Sequence, residues 1–194
     1  MELYFVTHNK SKFQEAKEIG ENYSVNIEMY DLEYEEIQDK RLETIALMSC
    51  KRILEEKPEL KDKDFFLEDA GLFIESLNGF PGPYSSYVFK TIGNKGILKL
   101  MKGEEDRKAH FKSVIAYHSK NEIKTFIGET EGKISNITKG EKGFGFDPIF
   151  IPNGYDITYA EMTLETKNLY SHRQKSLREL LTSITAFAHK KNRW

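Results

Sequence analysis

Leu3-Tyr4-Phe5-Val6-Thr7-His8-Asn9-Lys10-Ser11-Lys12-Phe13-Gln14-Glu15-Ala16-Lys17-Glu18-Ile19 sets the fold class. Leu3 to Val6 is a short, mostly buried strand, and Thr7-His8-Asn9 is a polar turn. Ser11 to Ile19 carries apolar positions at helical spacing, with Ser11 as the expected cap. Ser24 to Met29 alternates as a second strand. Leu42 to Leu54 then puts Leu42, Ile45, Ala46, Met48 and Ile53 on one helical stripe, beyond an acidic loop at Glu33 to Lys40. Strand, turn, helix, strand, loop and helix make a mixed α/β chain.

Further along, Phe65-Phe66-Leu67 is an apolar run that ends on Glu68-Asp69, and Leu72-Phe73-Ile74 precedes the turn Asn78-Gly79-Phe80-Pro81-Gly82-Pro83. Tyr84 to Lys102 reads as two short helices broken near Gly93. Ala109 to His118 and Glu122 to Ser135 read as long paired strands. Gly140 to Gly154 is a glycine-rich loop around a strand at Ile149-Phe150-Ile151. Lys167 to Lys190 is expected to be one amphipathic helix with Leu177, Leu180, Leu181, Ile184 and Phe187 facing inward. Residues 1–194 carry no repeat or Pro/Ser-rich linker, so one domain is expected.

Composition narrows the function. A formal charge of −2 removes the broad basic field of a non-specific nucleic-acid or anionic-membrane binder, although His189-Lys190-Lys191-Asn192-Arg193 is a local basic cluster. No apolar run reaches the roughly 18 residues of a membrane span, and Met1 to Val6 has no signal-peptide pattern, so a cytoplasmic location is expected. The single cysteine, Cys50, excludes an internal disulfide and is expected to be a buried structural thiol.

Chemistry concentrates in a few segments. In Thr7 to Lys12, free backbone N–H groups and the positive end of a helix dipole suit a phosphate within reach of Lys12; the same residues also suit an ordinary capped turn. Glu33 to Glu36 and Glu68-Asp69 bring carboxylates without histidine partners. They fit Mg²⁺ better than zinc, or else form a solvated acidic face. Asp69, at the expected strand end, is either a site carboxylate or a turn residue before Gly71. Gly143-Phe144-Gly145-Phe146-Asp147-Pro148 offers close backbone approach, aromatic faces and an acceptor, which suits a purine ring; both phenylalanines could instead pack inside. Lys167 with Ser171-His172-Arg173 gathers donors for a keto oxygen or phosphate at the expected start of the last helix, where a cap with basic surface residues is the alternative.

In this order the segments resemble the inosine triphosphate pyrophosphatase family over nearly the whole chain. The resemblance also rests on Glu36-Ile37-Gln38, Glu68-Asp69-Ala70-Gly71-Leu72, Leu77 to Ser85 and Tyr159-Ala160-Glu161-Met162. It implies an elongated, two-lobed α/β fold with a central mixed sheet flanked by helices, a homodimer, and hydrolysis of ITP, dITP and XTP to monophosphate and pyrophosphate. It also implies a magnesium site, which manganese can fill, held by Glu36 and Asp69, with Asp69 as the base that activates water toward the α-phosphorus. Lys12 and Lys51 correspond to triphosphate contacts, Phe144, Asp147, Lys167, His172 and Arg173 to base-pocket residues, and Thr7, His8, Asn9, Lys10, Ser11, Ala70, Gly145, Phe146 and Ser171 to further substrate contacts. His8 replaces the usual glycine, and Ala70 replaces a common hydroxyl residue. A pyrimidine triphosphate pyrophosphatase of the related Maf type and a non-catalytic nucleotide-binding regulator are the rival readings.

Overall fold

A computed structural model describes residues 2–191, with side chains described as far as Ala186. Phe187 and the 189–193 basic cluster therefore lie outside the described side chains. The strands are β1 (Glu2–Val6), β2 (Asn26–Tyr30), β3 (Phe65–Ile74), β4 (Pro81–Gly82), β5 (Lys108–Ser119), β6 (Glu122–Ile134) and β7 (Phe150–Pro152). The helices are α1 (Lys10–Glu21), α2 (Leu42–Glu56), α3 (Ser85–Thr91), α4 (Gly93–Leu100), α5 (Leu164–Tyr170) and α6 (His172–Lys191).

The strands form one mixed sheet in the order β2-β1-β3-β5-β6-β7, with β4 on β3. β1 runs parallel to β2 and β3, and β3, β5, β6 and β7 alternate in direction. Side-chain alternation sorts β3 between two cores. Phe66 packs with Leu3, Phe5, Ile19 and Leu180 under α1 and α6, whereas Phe65 and Leu67 pack with Ala46, Cys50 and Ile53 under α2. A third cluster, built on Leu72, Phe111, Phe146 and Phe150, closes the far end of the sheet. The mixed α/β fold with helices flanking a central sheet is as the sequence predicts. Cys50 is wholly buried, which pushes its thiol up to about 12.

Several local expectations change. Asn9, not Ser11, caps α1: its side chain accepts from the Lys12 N–H at 3.0 Å. Met48 is exposed, and Ser49 and Cys50 share the buried stripe of α2 instead. Ile149 belongs to a 3-10 turn, and β7 starts at Phe150. The last helix is two helices, because Ser171 adopts an extended conformation after α5 and its hydroxyl accepts from the Gln174 N–H, opening α6.

The largest change concerns β3, which does not stop at Glu68-Asp69 but continues through both carboxylates for 10 residues in register with β5. Its other neighbour does stop. Tyr4 and Phe5 of β1 pair with Phe65 and Phe66, and β1 ends at Val6. Glu68, Asp69 and Ala70 thus stand in mid-strand beside the turn that leaves the carboxyl end of β1, the usual place for a cleft in an open α/β sheet.

Candidate functional site

A cleft of about 580 Å³ opens at this point. Its walls come from the β1–α1 turn, the acidic loop before α2, the middle of β3, the first turns of α3, the loop at 144–147 and the start of α6. The structure brings Thr7, His8, Asn9, Ser11, Lys12, Glu36, Asp69, Ala70, Phe144, Gly145, Phe146, Asp147, Lys167, His172 and Arg173 onto it. Lys10 and Lys51 are exposed and lie off the lining, and Ser171 is buried beneath it as the α6 cap. Glu33, Tyr34 and Glu68 also line the cleft.

The β1–α1 turn is built by its own side chains. The Asn9 N–H donates to Thr7 Oγ1 at 3.1 Å, and the Thr7 N–H donates to the Tyr30 carbonyl at 3.1 Å. His8 is not among the residues of positive φ, so the turn accepts it without strain. Lys12, one turn into α1, donates to the Glu68 carbonyl at 3.1 Å and stands 3.4 Å from the Glu68 carboxylate.

Adjacent carboxylates on β3 face opposite ways and meet different partners. Glu68 points toward α6, where it accepts from Ser113 Oγ at 2.7 Å and Arg173 Nε at 3.1 Å. Burial works against its charge, but Arg173, then Lys12, more than offset that and hold its carboxyl well below the usual carboxylate range. Asp69 points the other way. Burial raises its carboxyl to about 7; Lys12 opposes the rise, while Glu36 and Glu68 add to it.

Behind the cleft runs a chain of buried ion pairs that the sequence did not disclose. Lys167 Nζ lies 2.5 Å from Asp147 Oδ2 and 2.7 Å from Glu15 Oε1, and Arg173 pairs with both Glu15 and Glu68. The sequence presents Lys167 and Arg173 as donors for a keto oxygen or phosphate, or as basic surface residues behind a cap; both are buried and largely neutralised within the protein. Their rigidity is the gain: the pairs fix α1, α5, α6, β3 and the 144–147 loop against one another. Glu15 is the missed residue. Its signal was a carboxylate on the buried stripe of α1 beside Ala16 and Ile19.

The aromatic loop divides its two phenylalanines. Phe146 is buried with its ring edge-on to Phe89 at 5.5 Å, whereas Phe144 is half-buried on the lining, with Lys167 Nζ 5.0 Å and the Arg173 guanidinium 5.6 Å from its ring centre. Asp147 Oδ2 accepts from the Phe144 N–H at 2.9 Å and so closes the loop. Gly143 is required there, since its φ is +72° and a Cβ would lie 2.1 Å from that same oxygen. His172 stacks on Phe111 at 4.6 Å and its Nδ1 has no partner. Burial, then Arg173, hold its pKa well below the usual histidine value, so a neutral imidazole faces the cleft.

A divalent cation fits this lining. Its carboxylates, Glu33, Glu36, Glu68, Asp69 and Asp147, outnumber its lysines and arginine, Lys12, Lys90, Lys167 and Arg173. No lining cysteine competes, so the donor set is one for a hard cation. Among the described residues no group of three or more His, Cys, Asp or Glu forms a ready-made cage. Magnesium does not need one, because it takes one or two carboxylates and completes its shell with substrate phosphates and water.

Comparison with known proteins gives a consistent picture. The model of the Ham1 family matches residues 3–183. A dITP/XTP pyrophosphatase of Thermococcus kodakarensis is 51% identical over 92% of this chain and 95% of its own length, and one of Methanopyrus kandleri is 49% identical over 91% and 93%. The Staphylococcus aureus Ham1 protein structure superimposes with a TM-score of 0.79 at 26% identity, covering 96% of this chain and 99% of that one. A Mycobacterium abscessus structure described as a nucleoside-triphosphatase and dITP/XTP pyrophosphatase gives a TM-score of 0.70 at 28% identity, covering 95% and 100%.

Proposed function

The chain belongs to the Ham1 family, and on that premise we propose that it is a single-domain pyrophosphatase that hydrolyses ITP, dITP and XTP to the monophosphate and pyrophosphate. One observation carries this reading. A single cleft combines the Asp69 and Glu36 carboxylates and Lys12 with the Phe144 to Asp147 loop and the His172-Arg173 start of α6. One end has groups for a metal-bound triphosphate, and the other has an aromatic face with polar neighbours for a purine.

Glu36 and Asp69 would hold magnesium, or manganese in its place, and the bound ion supplies charge neutralisation for the polyphosphate. Asp69, beside Lys12 on the cleft lining, accepts a proton from the water that attacks the α-phosphorus. Lys12, fixed by the Glu68 carbonyl, faces the departing pyrophosphate. Phe144 offers its face to the base. A purine with O6 as acceptor and N1–H as donor finds the neutral His172 and the ordered polar groups around it, whereas adenine reverses both and leaves buried groups unpaired. GTP shares that edge, so its rejection must act at C2.

We propose further that it acts as a homodimer, as the resemblance implies, and in the cytoplasm, as the sequence patterning of its first residues and the lack of a long apolar run lead one to expect. Among the described residues no helix is long and apolar enough to cross a membrane.

The test is a substrate panel. Chain and Mg²⁺ are incubated with ITP, XTP, GTP, ATP and UTP, and the products are identified. Pyrophosphate from ITP and XTP, with little from ATP or UTP, supports the reading; a preference for UTP supports the Maf-type rival. Asp69→Asn should lose at least about two orders of magnitude in kcat while staying folded, and near-normal turnover rejects its assignment.

A further inference from the structure

The cations of the cleft are not equivalent. Lys12 stands 3.4 Å from Glu68, Lys167 is shared by Glu15 and Asp147, and Arg173 is shared by Glu15 and Glu68. Lys90 differs from all three. It lines the same cleft from α3, yet among the described residues its side chain has no ion pair or hydrogen-bond partner.

Its setting is rigid although its ammonium is free. Ser86, Phe89 and Lys90 fall three and four residues apart, so α3 presents one face to the cleft. Ser85 pins that helix to the sheet: its hydroxyl accepts from the Leu72 N–H at 2.8 Å and donates to the Gly82 carbonyl at 2.7 Å. Phe89 meets Phe146 edge to face, which ties α3 to the aromatic loop. Lys90 therefore rises from a wall held at both ends, and that wall is separate from the β1–α1 turn that carries Lys12.

A polyphosphate entering this cleft meets more carboxylates than cations, and most of those cations already have carboxylate partners. Lys90 is the lining cation whose charge no protein acid reduces. We propose that Lys90 is a substrate-binding residue that contacts the polyphosphate of the nucleotide and the pyrophosphate product, so that anion binding draws on α3 as well as on α1. This inference rests on the reading of the cleft as a nucleoside triphosphate site.

The experiment compares wild type, Lys90→Ala and Lys90→Arg with Mg²⁺, reading KM and kcat for ITP and inhibition by inorganic pyrophosphate. A lost charge-assisted contact should raise KM and the pyrophosphate inhibition constant about tenfold in Lys90→Ala, leave kcat within about threefold, and make KM less sensitive to salt. Lys90→Arg should restore most of the affinity. KM and inhibition constants within twofold of wild type in Lys90→Ala would overturn the inference. Calorimetric titration of the same proteins with inorganic tripolyphosphate and Mg²⁺ separates it from the substrate reading. If ITP is not turned over but tripolyphosphate binding weakens in Lys90→Ala, the substrate reading fails and Lys90 stands. Binding equal in both proteins, or absent from both, overturns the role of Lys90.

Discussion

Arg173 Nε donates to Glu68 Oε2 over 3.1 Å, joining the first turn of α6 to the middle of β3 in a buried contact between residues far apart in sequence. The same arginine also holds Glu15. The contact explains why a charged carboxylate is tolerated in the middle of the central strand. A buried pair of this kind adds little net stability over an apolar pair, but removing one partner strands the other.

Glu68→Gln should therefore destabilise the fold by about 3 kcal/mol, the lower end for a broken buried pair because Arg173 keeps Glu15. Ser113→Ala removes only the neutral hydroxyl that donates to Glu68 and should cost about 1 kcal/mol. Urea denaturation of both variants checks the order; equal losses would mean that the ion pair is not what Glu68 contributes.

Acid should weaken the same network. Burial opposes the Glu15 charge, but Arg173 and then Lys167 prevail and lower its folded pKa below the unfolded value near 4.3. The stability it contributes is present above the unfolded pKa and is lost as pH falls through the folded one. Melting temperature followed from pH 7 to pH 3 should drop below about pH 4.5, and Glu15→Gln should start lower at pH 7 and show a shallower acid limb. Parallel limbs would place the acid sensitivity elsewhere.

Gly128 lies where β6 passes under the start of α6, and a Cβ there would stand 2.1 Å from the His172 carbonyl. Gly128→Ala must push the helix start outward. The expected cost is about 1 to 3 kcal/mol, with a higher KM for ITP because His172 and Arg173 move with the helix. A variant with wild-type stability and KM would show that α6 is not held by this close approach.

What the sequence disclosed and what it hid divide along physical lines. Local periodicity located the strand-turn-helix opening, the α3–α4 break near Gly93 and the β5–β6 ribbon, because those signals reside in neighbouring residues. β3 read as two pieces because Glu68-Asp69-Ala70-Gly71 interrupts the apolar run; the partners that make the charge tolerable, Ser113 and Arg173, come from distant segments. Glu15 was hidden for the same reason, and so was the internal neutralisation of Lys167 and Arg173. The α5–α6 break was legible in principle, since Ser171 with Gln174 three residues on is a capping pattern.

The two ends of the cleft should separate kinetically. Lys12→Ala removes a group facing the polyphosphate shared by all substrates, so kcat/KM for ITP and ATP should fall by similar factors. His172→Ala should compress the ITP-to-ATP ratio by about tenfold, because the unpartnered Nδ1 at the base end is lost. This comparison is cleaner than Arg173→Ala, which would also strand Glu15 and Glu68. A ratio altered by Lys12→Ala and untouched by His172→Ala would reverse the assignment of the ends.

Metal dependence should follow Glu36. Glu36→Gln should raise the Mg²⁺ concentration needed for half-maximal turnover, and its defect should shrink at high Mg²⁺ or with Mn²⁺. A defect indifferent to metal concentration would remove Glu36 from the metal site.

Hydrolysis of ITP in ¹⁸O-labelled water with Mg²⁺, followed by mass analysis of the products, tests the central claim most directly. Attack on the α-phosphorus predicts one labelled oxygen in inosine monophosphate and none in the pyrophosphate released with it. Label in the pyrophosphate, release of orthophosphate with inosine diphosphate, or no turnover of ITP would contradict it.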